Sequence, residues 1–171
     1  MIKRFAAVVA LVGAFMASPT MAAGPLAEPT GEVLLTITGE IANTNAGEDV
    51  AEFDLAMLEA LPATEYTTET IWTEGEHVFR GVTLGELINA VGAEGSSISA
   101  IAINDYAIDI PMSDATDGSA LVAYRLDGET MSIREKGPLW IVYPYSSDAK
   151  YRAEIIYARS IWQLKELEIS R

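Results

Sequence analysis

Apolar and polar positions change period several times along this 171-residue chain. Val33-Leu34-Leu35-Thr36-Ile37-Thr38-Gly39 is β-branched and ends in a turn residue, which predicts a strand. After the polar loop Asn43 to Asp49, apolar residues from Phe53 to Leu61 recur at helical spacing and stop at Pro62, predicting a helix. Glu65 to Trp72 is Thr-rich and extended, whereas Thr83 to Val91 predicts a second helix closed by Gly92. Ile98 to Ile103 and Tyr106 to Ile110 read as paired strands around the turn Asn104-Asp105. Further strands are predicted at Leu121 to Leu126, Met131 to Arg134, Trp140 to Tyr143 and Ile161 to Ile169, with Asp127-Gly128 as a hairpin turn. Short strands with two or three short helices imply one α+β domain, a β-rich mixed sheet. No internal repeat or linker divides residues 24–171.

The first 23 residues follow a different logic. Lys3-Arg4 precedes the apolar run Phe5 to Ala17, and Thr20-Met21-Ala22-Ala23 supplies small residues for cleavage, as in a secretory signal peptide. The apolar run falls short of the ~20 residues of a membrane span. The expected mature chain, 24–171, is therefore exported and periplasmic, without direct membrane insertion after cleavage. An uncleaved anchor helix is the alternative.

Composition then removes whole classes of chemistry. With no cysteine, disulfides, thiolate nucleophiles and thiolate-held metals are excluded. A single histidine, His77, in the expected polar loop Glu74 to Val78, speaks against multi-histidine metal sites and Ser-His-Asp hydrolysis. A net charge of −14 speaks against nucleic acid as a partner. Six of the basic residues nevertheless lie between Arg125 and Arg159, where five acids leave a slight positive excess. Overlapping this stretch, Trp140, Tyr143, Tyr145, Tyr151, Tyr157 and Trp162 all fall within 23 positions. Such rings form either core or the flat walls of a ligand pocket. Trp72, at a strand end, and Trp140, in the turn Lys136-Gly137-Pro138-Leu139-Trp140, are the rings placed to line one. The carboxylates show no spacing that isolates a general acid and base, and no phosphate-binding glycine motif occurs.

Ala123-Tyr124-Arg125-Leu126-Asp127-Gly128, followed by Lys136-Gly137-Pro138-Leu139-Trp140-Ile141-Val142-Tyr143-Pro144, resembles the sulfite-oxidase-type molybdopterin-binding domain. Arg159 to Leu164 is similar to that family's closing strand, Phe79 to Ile88 to its helix after the cofactor strand, and Asn104-Asp105-Tyr106 to its central loop. The resemblance runs in order from Val33 to Ile169 and implies a β-rich, barrel-like fold cradling a pterin. Catalytic members hold molybdenum through a cysteine on the strand before the first helix. Here that stretch, Glu65 to Trp72, has only Thr, Glu, Tyr, Ile and Trp, and hydroxyls substitute poorly for a soft thiolate. Molybdoenzymes of the family are exported folded, whereas Lys3-Arg4 is a poor twin-arginine signal.

The chain therefore looks like small exported members of the family that are pterin sensors. The resemblance implies a reduced, non-metallated pterin as ligand. As partner it implies the periplasmic region of an inner-membrane cyclic-di-GMP synthase/phosphodiesterase. Trp72 and Trp140 are expected to stack on the pterin, Asp105 to accept from its amino edge, and Asn104, Arg80, Tyr106, Lys136 and Tyr143 to add polar contacts. A molybdopterin-dependent oxidoreductase and an interaction domain without ligand are the alternatives.

Overall fold

A computed structural model describes residues 26–171; the expected signal peptide and its cleavage site lie outside them. The first sheet is built from β1 (Val33–Gly39), β2 (Val50–Asp54), β5 (Ser97–Ala102), β6 (Ala107–Pro111) and β10 (Leu164–Ser170). Its order is β2-β1-β10-β5-β6, with β1 and β10 parallel and the other pairs antiparallel. The second sheet runs β3 (Ala63–Glu69), β4 (Glu76–Thr83), β7 (Leu121–Leu126) and β8 (Glu129–Thr130), and β9 (Trp140–Val142) also pairs with β7. Neither closes into a barrel, so the barrel-like expectation gives way to two open sheets around one shared core.

Strand alternation builds that core. Leu35 and Ile37 of β1, Ala51 and Phe53 of β2, and Ile98 and Ala100 of β5 all point inward and are fully or nearly fully buried. In the middle of the second sheet, Leu121 to Tyr124 of β7 are buried on both faces. Gly81 passes so close to β7 that a Cβ there would meet the Val122 carbonyl, which accounts for a glycine inside a strand.

Several elements differ from the sequence expectation. The helix foreseen from Phe53 shortens to α1 (Leu55–Ala60) because Phe53 and Asp54 complete β2. The Asp54 carboxylate accepts from Met57 N at 2.9 Å and from Thr30 N and Gly31 N at 2.8 Å each, fixing the strand-to-helix corner. These backbone donors hold Asp54 below the usual carboxylate range. Met131 to Arg134 is not a strand. Ile133–Glu135 is a 3₁₀ turn, with Ser132 and Glu135 capping one another. The α2 helix (Leu84–Val91) is as expected, capped by Thr83 and closed by Gly92 at φ 60°. Two short helices, α3 (Met112–Thr116) and α4 (Glu154–Arg159), bring the number among the described residues to four.

Glu74 to Val78, expected to be a loop, already enters β4 at Glu76, and His77 is half-buried there. Its Nδ1 lies 2.7 Å from Asp127 Oδ2 and its Nε2 2.9 Å from the Glu74 carbonyl. Asp127 and Gly128 both have positive φ, as a two-residue hairpin turn requires, so the ion pair ties β4 to that turn. The Asp127 hydrogen bond raises the His77 pKa and lowers that of Asp127. A raised imidazole pKa stabilises the fold fully below the unfolded value, ~6.5, and the contribution disappears as pH rises through the folded one. Asp127 contributes above its unfolded value and loses that contribution as pH falls through its lowered folded one. His77→Ala should therefore lower the melting temperature near pH ~5.5 and leave it almost unchanged near pH ~9. Equal losses at both, in thermal melts, would mean that the pair does not titrate as the geometry requires.

Candidate functional site

The segment between β3 and β4 carries Trp72 into the aromatic cluster. Thr70 Oγ1 accepts from Trp72 N and Thr73 N, both at 3.0 Å, so the turn is locked by its own hydroxyl. The Trp72 ring then meets four others edge-to-face. Centroid distances are 5.8 Å to Trp140, 6.2 Å to Tyr145, 5.7 Å to Tyr157 and 5.8 Å to Trp162. Trp140 and Trp162 are joined by a single β-bridge. The protein's three tryptophans thus form one contiguous group.

On the exposed side of this group lies a cleft of about 420 Å³, walled by Trp72, Asn104, Tyr106, Tyr157 and Trp162 with Ala102 and Ile161 among its apolar lining. That volume falls within the ~300–1,000 Å³ of small-molecule sites. A second cavity of about 300 Å³ shares the Trp72 and Trp162 walls and adds Ile133, Arg134, Lys136 and Gln163. The Lys136 ammonium stands 5.7 Å from the Trp140 ring centroid and 5.8 Å from that of Trp162. Lys136 has φ 72° and Gln163 φ 53°, a left-handed backbone that costs a side-chain-bearing residue roughly 1–2 kcal/mol. Gln163 N donates to the Lys136 carbonyl at 3.0 Å, and its Nε2 donates to the Ile133 carbonyl at 2.8 Å. Two hollows elsewhere, one of about 420 Å³ at Gly39 and Arg171 and one of about 520 Å³ at Gly31 and Pro138, lack any aromatic wall.

The expected site residues divide. Trp72, Asn104 and Tyr106 line the cleft, and Lys136 lines the adjoining cavity. Asn104 Oδ1 accepts from Tyr106 N at 3.2 Å, which leaves its amide NH₂ for a guest. Trp140 cannot be a stacking face. It is 0% exposed, 5.4 Å from Phe79 on one side and 5.8 Å from Trp72 on another, with Nε1 donating to the Ser160 carbonyl. Its place is behind Trp72, as support. Tyr143 is equally buried, and its hydroxyl donates to Asp114 at 2.8 Å. Burial, then the Asp114 charge, pushes that phenol far above its ordinary pKa. Arg80 follows Phe79 in β4, so strand alternation turns it to the outer face, where it pairs with Glu65 at 3.0 Å. Asp105, at φ 64° in the exposed turn, is held by Lys165 at 2.6 Å and lines neither cavity.

The cleft also uses residues not singled out from the sequence. Trp162, 39% exposed, and Tyr157 add two ring walls to the cleft, and Arg134 and Gln163 complete the second cavity. The density of rings between Trp140 and Trp162 was the only signal for the first two. Distinguishing them from Trp140 required the β9–β10 geometry.

No family model and no curated protein matches the sequence. Among solved structures, the crystal structure of the sulfane dehydrogenase SoxCD from Paracoccus pantotrophus superposes with a TM-score of 0.57 over 86% of this chain, at 18% identity. The fold is sulfite-oxidase-like. The chain spans 40% of the length of that dehydrogenase chain. At this identity the likeness concerns the sulfite-oxidase-like fold, a mixed α+β arrangement of two sheets and short helices.

Proposed function

We propose that this protein is a non-catalytic, periplasmic binder of a reduced, metal-free pterin. The pterin sits in the Trp72–Trp162 cleft and regulates the periplasmic region of an inner-membrane cyclic-di-GMP synthase/phosphodiesterase. One observation carries the reading. In the stretch where the sequence resemblance expects the molybdenum thiolate, Glu65 to Trp72, this chain has a tryptophan that walls an open cleft.

The residues present fit the organic part of such a cofactor. A pterin is a flat heterocycle with a donor- and acceptor-rich edge. The rings of Trp72, Tyr157 and Trp162 offer faces and edges worth ~0.5–1.5 kcal/mol per contact beyond burial. The Asn104 amide NH₂ supplies a polar contact. These residues do not fit the metal. The chain has no cysteine, and no group of three His, Asp or Glu side chains is disposed to hold an ion among the described residues. Hard oxygen donors alone are poor ligands where a soft thiolate is required.

Binding regulates a partner only if the two states of the complex hold the ligand with different affinity. The partner follows from the resemblance, and a net charge of −14 suits a basic docking face. The likeness to a dehydrogenase favours a second reading, a molybdopterin-dependent oxidoreductase.

The test is a fluorescence titration of the mature protein with tetrahydropterins. Because all three tryptophans adjoin, a pterin in the cleft should quench most of the indole emission. No quenching or heat of binding at millimolar pterin would refute the reading. Stoichiometric molybdenum in protein isolated from its native periplasm would establish the second one instead.

A further inference from the structure

We propose that His77 is a positioning residue for the cleft: its imidazolium pins the turn that carries Trp72, so the ligand binds most tightly when this ring is protonated. The proposal rests on the reading of the cleft as a pterin site. It comes from the way the Trp72 turn is attached. Residues 70–75 connect β3 to β4, whose last paired positions are Glu69 and Glu76. Inside the turn, Thr70 bonds to Trp72 and Thr73. Among the described residues, only one hydrogen bond ties residues 70–75 to the rest of the chain, between the Glu74 carbonyl and His77 Nε2 at 2.9 Å. Gly75, next along, has φ 76° and open space where a side chain would stand, so the backbone there is free to turn. Trp72 walls both the cleft and the adjoining cavity, so a change at this attachment reaches the binding surface.

The two contacts of the imidazole require its cationic form. Nδ1 faces the Asp127 carboxylate at 2.7 Å and Nε2 faces a carbonyl, and both oxygens can only accept. A neutral ring has one N–H. The carboxylate, as the stronger acceptor, keeps it on Nδ1, and Nε2 then turns a lone pair toward the Glu74 carbonyl. The bond that deprotonation removes is therefore the one to the Trp72 turn. The surroundings hold the charge in place. The β7–β8 turn presents Asp127, and β3 presents Thr68 opposite the ring in register. Arg125 of β7 is turned to Glu59 and the Gly128 carbonyl, and Arg80 of β4 to Glu65. Glu69, Glu74, Glu76 and Glu129, on the adjoining strands and turn, are exposed. A pterin packed against Trp72 favours the pinned turn, so ligand and proton strengthen one another by the same factor. One hydrogen bond sets that factor at about three- to tenfold. Affinity is full below the folded pKa of the free protein, falls as pH rises through it, and levels off above that of the complex.

His77 is the only histidine in the chain, so its ring resonances in untagged mature protein report a single titration. Proton NMR with and without saturating tetrahydrobiopterin, kept anaerobic, should show the midpoint raised in the complex by about half to one pH unit, the logarithm of that factor. Calorimetry from pH ~5.5 to ~9 should show the matching loss of affinity. Titration of the pterin itself is common to every variant, so the part due to His77 is the difference from His77→Gln, which should lack it. Asp127→Asn keeps an amide oxygen that accepts from Nδ1. It should lower the His77 midpoint and carry the affinity transition down with it, which a purely structural role would not do. A midpoint unmoved by ligand, or a His77→Gln affinity profile parallel to that of the wild type, would overturn the proposal and leave the cleft reading standing. Failure of the pterin to bind at any pH would overturn both.

Discussion

Replacing Trp72 by alanine should abolish pterin binding and cost about 3 kcal/mol of stability, the lower end of the ~3–5 kcal/mol for emptying a buried tryptophan site. The lower end applies because Trp72 is only half-buried. The loss goes beyond one ring, since Trp140, Tyr145, Tyr157 and Trp162 all use Trp72 as their common edge-to-face neighbour. Stability and binding are separable with Trp72→Phe. A smaller ring keeps part of the packing and should recover most of the stability in urea titrations. It should bind pterin measurably but more weakly, because the indole face is reduced. If Trp72→Phe and Trp72→Ala both bind as tightly as the wild type, Trp72 is a packing residue and the cleft is not the ligand site.

How this site was legible in the sequence differs residue by residue. Trp72 was identifiable because a large ring at a strand end, in a Thr-rich turn, has no obvious packing role, and Thr70 does lock that turn. Asn104 and Tyr106 were visible as the tip of a strand pair, and β5 and β6 pair as expected. Trp140 was expected to stack on the ligand, because Gly137-Pro138 reads as a turn that presents the ring beside open backbone. The β-bridge to Trp162 covers it, and that contact joins positions 22 residues apart. Arg80 and Tyr143 fail for a related reason. Which face of a strand is inward depends on the neighbouring strand, and Phe79 and Asp114 decide it here. The strand from Glu76 was hidden by its charged start, since an exposed strand end carries no apolar alternation. The sheets, by contrast, were readable where apolar residues alternate, as in β5, or form a short β-branched or continuous apolar run, as in β1 and β7.

The second large effect is expected at a residue that does not line the cleft, Asp114. This carboxylate lies on α3 and is nearly buried. It accepts from the Tyr143 hydroxyl at 2.8 Å and from Arg159 Nη1 at 3.1 Å, joining α3 to the end of β9 and to the last turn of α4. Arg159 Nε is itself buried without a partner, so the guanidinium already depends on this one carboxylate. Asp114→Ala removes the only counter-charge among the described residues and strands both a cation and a phenol. Breaking one side of a buried pair costs ~3–5 kcal/mol, and the lower end applies because Arg159 keeps some exposure. The pair as a whole is worth less than that, because each partner was desolvated to form it. Asp114→Leu/Arg159→Met should therefore be clearly more stable than Asp114→Ala alone, in urea or guanidinium melts. The loss should also reach the ligand. The last turn of α4 is followed directly by Ser160, Ile161 and Trp162, and Tyr157 within it walls the cleft. Asp114→Ala should then weaken pterin binding without touching the pterin, while the double variant, with α4 packed again, restores part of it. A double variant no more stable than the single one would mean that the carboxylate stabilises the fold through Tyr143, at the end of β9, rather than through Arg159 of α4.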